Sequence, residues 1–130
     1  MRRIITLLFF SSICVFGFAQ TQVEMNDEAQ ENYIKADKEL NQVYQQILKE
    51  YKDDKVFINK LKIAQRSWIK FRDADMEAMY PDEAEQGSVF PACWFMALES
   101  LTKERTEKLR IWLDGIEEGD VCAGSVKFKE

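Results

Sequence analysis

The sequence predicts an all-α protein, an antiparallel bundle of three main helices followed by an irregular C-terminal tail. Apolar residues recur at steps of three and four in three long segments, which is the spacing of one helix face. Glycine and proline are rare, and inside these segments they occur only in a first turn. The one sizeable connection is residues 80–91, so the helices pack as sequential antiparallel neighbours.

The first helix is predicted over about residues 22–51. Thr21 and Glu24 fit a capping box, in which the two side chains satisfy free amides of the first turn. Its apolar stripe consists of Ala29, Tyr33, Ala36, Leu40, Val43, Ile47 and Tyr51.

The second helix is predicted over residues 55–80, with Asp54 as its N-cap and Pro81 just beyond its end. One stripe, predicted to face the core, consists of Phe57, Leu61, Ala64, Trp68 and Phe71. An adjoining stripe consists of Gln65, Ile69, Arg72 and Met76. This pattern places the rings in the core and the polar pair Gln65 and Arg72 at its border.

The third helix is predicted over residues 91–113, since Pro91 suits a first turn and Gly115 suits a C-terminal stop. Its inner side consists of Trp94, Leu98, Leu101, Leu109 and Trp112. The tail, residues 114–130, has no helical period. A monomer is favoured, and the alternative is a dimer in which two chains share a larger bundle.

Residues 1–19 have the features of a signal peptide. Arg2 and Arg3 precede an apolar run, and Gly17 and Ala19 are the small residues expected before cleavage at Gln20. The alternative is a retained anchor, but the run is short for a membrane span. The expected product is a single periplasmic or secreted domain, residues 20–130, without stable membrane insertion.

Charge and composition exclude several function classes. Removing the signal, which contains two basic residues and no acidic ones, changes the formal charge from −5 to −7. An acidic domain does not attract nucleic acid or anionic lipid, and it favours a basic protein partner. The absence of histidine removes the commonest general base and metal ligand. We therefore expect no enzyme, no catalytic residue, no cofactor and no metal site.

Two cysteines remain after the predicted cleavage, Cys93 and Cys122. In an oxidising compartment two cysteines favour a disulfide over a metal site, which needs more ligands of this kind. The sequence therefore predicts a Cys93–Cys122 bridge that ties the tail to the third helix.

Arg105 falls within the inner stripe of the third helix, where a charge is seldom buried without a partner. It either extends its head to water or pairs with a carboxylate of a neighbouring helix, and the candidates are Asp37, Glu39 and Asp73. Arg72 and Asp73 are adjacent and point about 100° apart on a helix, so they are not expected to share a site. Asp73 is instead expected to form a surface ion-pair lattice with Arg66 and Lys70.

Four segments together resemble one family. They are "ADKELNQVYQQIL" (36–48), "QRSWIKFRDADM" (65–76), "GSVFP" (87–91) and "LTKERTEKLR" (101–110). Their order and spacing are similar to those of the LprI-type lysozyme inhibitor domain, whose fold is helical. The family's cysteines fall on Glu28, Met76 and Ala97 here, so this chain has exchanged family cross-links for packing. The motif residues Gln65, Trp68, Arg72, Asp73, Thr102 and Arg105 are assigned a structural role.

The resemblance implies a protein that binds a lysozyme and blocks its cleft. The expected contact is the exposed loop between the second and third helices, because a blocker needs a protruding segment and loops commonly carry function. Its partner-binding residues would be Asp82, Glu83, Glu85, Gln86 and Ser88. Two alternatives remain: the loop is a plain polar connection, or the protein is a non-enzymatic cell-envelope interaction module without lysozyme affinity.

Overall fold

The structure, a computed structural model, describes residues 4–81 and 87–129, with side chains from residue 21 onward. It contains three helices, α1 (Ile4–Glu50), α2 (Lys55–Met79) and α3 (Phe90–Asp114). Asn26 in the middle of α1 contacts Ala92 at the start of α3, and Tyr51 just after α1 contacts Trp112 near the end of α3, so these two helices are parallel. The intervening helix α2 runs antiparallel to both. No strand forms within 4–81 and 87–129, and the predicted all-α bundle is confirmed.

Helix α1 extends further towards the N-terminus than the sequence predicts. It is continuous from Ile4, so Thr21 lies inside the helix and is not its N-cap; the predicted capping box is wrong. The predicted cleavage site before Gln20 lies within the same helix. Among the residues with described side chains, no helix is long and apolar enough to cross a membrane.

The core lies mainly between α1 and α3. The predicted stripe of α1 is confirmed, because all its members are buried except Tyr33, which is half-buried. Ile47 of α1 and Leu109 of α3 are completely inaccessible. Phe57 attaches the start of α2 to this core, since its ring centroid lies 4.7 Å from that of Tyr51 and 5.7 Å from that of Trp112.

The predicted core stripe of α2 is correct for Phe57, Leu61 and Trp68, which is half-buried and packs against the core, and it is wrong for Ala64 and Phe71. Phe57 and Leu61 are buried, whereas Ala64 is exposed and Phe71 is 63% exposed. Gln65 and Met76 of the adjoining stripe are instead 7% and 1% exposed. Steps alternating between four and three average 3.5 residues, and a straight helix drifts from this repeat by about 20° in each heptad. After two heptads the predicted stripe has turned away from the buried side, on which Ile58, Gln65 and Met76 lie.

Gly115 ends α3 in a conformation that few other residues adopt. Its φ of 73° and ψ of 176° lie in a region essentially restricted to glycine. The tail then packs against this end of the bundle: Ile116 and Phe128 form an isolated bridge, and Tyr51 Oη accepts a hydrogen bond from the Lys127 amide at 3.4 Å. The tail is irregular, as predicted.

The predicted Cys93–Cys122 disulfide is not formed, because both cysteines are free. Cys93 lies at the N-terminal end of α3, about 28 Å along the helix axis from Trp112. Cys122 is three residues from Ser125, whose hydroxyl accepts a hydrogen bond from Trp112 Nε1 at 3.0 Å. A bridge requires Cα atoms within about 7 Å. The tail therefore packs at the wrong end of α3 for this pair.

Candidate functional site

Three aromatic rings form the base of the connection between α2 and α3. The ring of Tyr80, which follows α2, lies 5.6 Å from Phe90 and 5.7 Å from Trp94 between centroids. The Tyr80 hydroxyl also donates to the Cys93 carbonyl at 3.3 Å. Stacked and edge-on rings are stabilising beyond their buried area. The two ends of the loop are consequently held together by packing on α3.

Asn26 of α1 fixes the second end of this loop. Its Nδ2 donates to the Ser88 carbonyl, and its Oδ1 accepts from the Ala92 amide, both at 3.2 Å. Val89, the N-cap position of α3, makes no side-chain capping hydrogen bond. Asn26 thus provides, from another helix, an acceptor for one free amide of the first turn of α3, that of Ala92.

Four of the predicted partner-binding residues, Asp82, Glu83, Glu85 and Gln86, lie outside the described residues. The fifth, Ser88, is exposed, and its carbonyl is held by Asn26. Gly87, at the start of the described part, has a φ of 71° with nothing within 4 Å of a Cβ built there. Ser88 therefore lies at the surface where the loop joins α3.

At the loop end of the bundle, the exposed acidic residues of α1 and α2 are not interspersed with basic ones. Glu24, Asp27 and Glu28 are exposed on the part of α1 that holds Ser88, and Glu77 is exposed near the end of α2. The sequence contains no lysine or arginine between Arg3 and Lys35 or between Arg72 and Lys103. We call Glu24, Asp27, Glu28 and Glu77 the acidic end. The fold therefore brings together two stretches of sequence that contain no lysine or arginine, which we call base-free stretches.

A second polar cluster surrounds Trp68. Arg72 and Arg105 place their guanidinium carbons 5.3 and 5.9 Å from the centre of the Trp68 ring. Arg105 Nε donates to the buried Gln65 Oε1 at 2.9 Å. The predicted carboxylate partner of Arg105 is not found, because no described carboxylate lies within 4.0 Å of it. Its partners are an amide and an aromatic face.

The prediction that Arg72 and Asp73 do not share a site is also wrong. Arg72 Nε and Nη2 both donate to Asp73 Oδ1, at 2.9 and 2.7 Å. The Cβ atoms of adjacent helical residues point in different directions, but an arginine side chain is long enough to reach its neighbour. In the described ranges neither Arg66 nor Lys70 forms an ion pair, so the predicted lattice with Asp73 is not formed.

Arg72 also connects α2 to Tyr33 of α1. Burial raises the pKa of Tyr33, the carboxylates of Asp37 and Asp73 raise it further, and the charge and hydrogen bond of Arg72 lower it. Thr102, the remaining motif residue, is fully buried, and its hydroxyl has no hydrogen-bond partner among the described residues. Among the motif residues, Gln65 and Arg105 therefore join α2 to α3, and Arg72 joins α2 to Tyr33 of α1.

The described residues contain no group of three or more His, Cys, Asp or Glu side chains that could hold a metal. Two features were missed by reasoning from the sequence. Asn26 gave no periodic signal, because its partners are 62 and 66 residues away. The acidic end did have a signal in the sequence, namely the two stretches without lysine or arginine. These stretches indicate a common surface only once the fold shows that they are adjacent.

Comparison with known proteins finds a matching family and a relative. The family described as "Lysozyme inhibitor LprI" matches residues 17–109, which include the whole of α2 and most of α3. An uncharacterized protein of Rhizobium meliloti (strain 1021) is 34% identical over 110 residues, 76% of this chain and 78% of that protein. No solved structure gives a significant match.

Proposed function

The chain belongs to the LprI lysozyme inhibitor family, and from this premise we propose that it binds a lysozyme and blocks its substrate cleft with the loop between α2 and α3. The observation that carries the proposal is the family match over residues 17–109, which contains this loop, the whole of α2 and most of α3. The protein is exported and acts in the periplasm or outside the cell after cleavage before Gln20.

The charge distribution supports this orientation of binding. Many lysozymes are strongly basic, and the acidic end surrounds the base of the loop. Complementary potentials speed encounter and orient the partners before contact. Asp82, Glu83 and Glu85 of the loop add acidic groups at the same end. A basic rim around a lysozyme cleft would therefore meet the loop first.

The loop has the chemistry to occupy a cleft that contains carboxylates. Glycosidases cleave with a pair of carboxyl groups, and Gln86 and Ser88 have neutral donors that can hydrogen-bond to them. Ser88 is exposed, and its hydroxyl makes no hydrogen bond within the described ranges. The aromatic base of Tyr80, Phe90 and Trp94 reduces the conformational freedom that such a loop loses on binding.

A cell-wall lysis assay with the purified mature protein and several lysozymes tests the proposal. Parent protein is expected to inhibit, and raised salt is expected to weaken inhibition by screening the rim charges. The triple variant Asp82→Asn, Glu83→Gln, Glu85→Gln is expected to inhibit at least about tenfold less well, because it loses three attractive charges.

The matched control neutralises three exposed acids remote from the loop, Glu104→Gln, Asp114→Asn and Glu118→Gln. This control is expected to inhibit like the parent. Undiminished inhibition by the loop variant would indicate that the contact lies on a helix face and not in the loop. No inhibition of any lysozyme by the parent would favour the second candidate, an envelope interaction module without lysozyme affinity.

A further inference from the structure

Arg105 has unused hydrogen-bonding capacity. A guanidinium has five N–H donors, and the described residues provide one acceptor, Gln65 Oε1, for the Nε donor. Burial lowers the pKa of Arg105, and no carboxylate acts to raise it. Charged groups removed from water normally have an ionic or hydrogen-bonding partner. The terminal nitrogens of Arg105 are therefore available to a ligand.

These nitrogens belong to a residue that lines a groove between α2 and α3, with a volume of about 250 Å³. Leu61 and Ala64 form the α2 side, and Trp112 lies on the α3 side. Lys60 lines the same groove, and no acidic residue does. Within a protein of net charge −5, this groove combines an apolar surface with two cations that have no described ion-pair partner.

We propose that this groove binds a carboxylate joined to an apolar group, the chemistry of a peptide C-terminus that ends in an aliphatic or aromatic residue. Arginine suits this role because its planar fork can make two parallel hydrogen bonds to a carboxylate. Trp112 and Leu61 contact the apolar part. The groove is smaller than most drug-sized ligand pockets, which occupy about 300–1,000 Å³, so it accepts a single residue.

This site goes beyond the lysozyme contact and is separate from it. Arg105 is fifteen residues after Phe90, which places it roughly 22 Å along α3 from the loop. A ligand in the groove would leave the acidic end free. The protein would then have two independent binding surfaces, one acidic and one that selects a carboxylate.

N-acetyl-leucine and its uncharged analogue N-acetyl-leucinamide test this proposal on the mature protein. Titration calorimetry measures affinity, and the indole N–H resonance of Trp112 reports whether the groove is occupied. The acid is expected to bind and the amide to bind at least about tenfold more weakly, as expected for loss of a charge-assisted hydrogen bond. Equal affinities, or no binding of the acid, would overturn the proposal.

Variants locate the binding in the groove. Arg105→Met is expected to abolish binding of N-acetyl-leucine, and Lys108→Met, which removes an exposed charge from the same helix, is expected to leave it unchanged. Ala64→Leu fills the groove from an exposed position of α2 and is expected to abolish binding while Arg105 stays in place. This variant answers the question even if Arg105→Met does not fold.

The experiments distinguish failure of the groove proposal from failure of the lysozyme proposal. Ala64→Leu is expected to inhibit lysozyme as the parent does, and the loop triple variant is expected to bind N-acetyl-leucine as the parent does. Unchanged binding of the acid by Ala64→Leu would overturn the groove assignment and would leave the lysozyme proposal as it stands.

Discussion

Individual polar side chains, each bonded to a distant segment, determine how the loop end of this protein is held. Asn26 is the clearest case, because one amide group serves both the Ser88 carbonyl and the Ala92 amide. The loop and the start of α3 are thereby fixed to α1 by a single residue. Its loss would release two backbone groups at once.

We expect Asn26→Ala to lower the free energy of unfolding by about 1 kcal/mol, the usual cost of losing a helix cap. Urea unfolding followed by circular dichroism measures this change. Asn41→Ala is the matched control, since Asn41 is exposed on the same helix and bonds only to Asp37 of that helix. Equal effects of the two substitutions would show that Asn26 does not cap α3.

The raised pKa of Tyr33 predicts how the stability of the fold changes at alkaline pH. Its pKa is raised chiefly by burial, so the folded state favours the neutral phenol. The stabilisation is complete below the unfolded pKa of about 10 and is lost as pH rises through the higher folded pKa. Tyr33→Phe should therefore lose less stability than the parent as pH rises above about 10. Parallel losses, measured by urea unfolding at each pH, would contradict this role for Tyr33.

At this scale the sequence predicted which residues are important and missed how they pair. The sequence predicts that Arg105 reaches either water or a carboxylate, whereas in the structure it bonds to Gln65 and lies over the Trp68 ring. Arg72 was expected to point away from Asp73, and it bonds to it. Periodicity determines the face on which a residue lies, whereas the partner depends on side-chain length and on neighbours from other helices.

The helices themselves followed from the sequence more closely. Helix α2 begins at Lys55 after the predicted cap Asp54, whose side chain accepts a hydrogen bond from the Phe57 amide. Helix α3 includes Pro91 in its first turn and ends before Gly115, as those residues indicate. The buried side of α2 did not follow completely, because the predicted stripe drifts away from it along the helix and Phe71 is exposed.

The end of α3 provides a prediction about the tail. A Cβ at Gly115 would lie 2.9 Å from the Lys127 carbonyl oxygen, in addition to the strain of a glycine-only conformation. We expect Gly115→Ala to lower the free energy of unfolding by roughly 1–3 kcal/mol and to change the fluorescence of Trp112, which the tail contacts.

Gly119→Ala is the control for this substitution. Gly119 also has a positive φ, 93°, but a Cβ there would have nothing within 4 Å. It should cost less than Gly115→Ala, because only the backbone conformation is strained. An equal cost for both would mean that the tail does not pack closely on the end of α3.

For the whole molecule, the arrangement of charge has the clearest functional consequence. The up-down-up order of the helices places the base-free stretches 20–34 and 73–102 together at the loop end. Neither stretch alone indicates a binding surface, since exposed helix faces are commonly charged. Their adjacency creates a directional field, and it requires no catalytic group to be effective.

The central claim is that this end of the molecule enters the cleft of a lysozyme, and competition with a saccharide tests it most directly. Calorimetry would measure the affinity of the mature protein for an inhibited lysozyme, with and without a saturating trimer of N-acetylglucosamine in the cleft. If protein and saccharide occupy the same cleft, the apparent affinity should fall in proportion to the saccharide's own occupancy. An affinity unchanged by the saccharide would contradict the account, because the protein would then bind lysozyme outside the cleft.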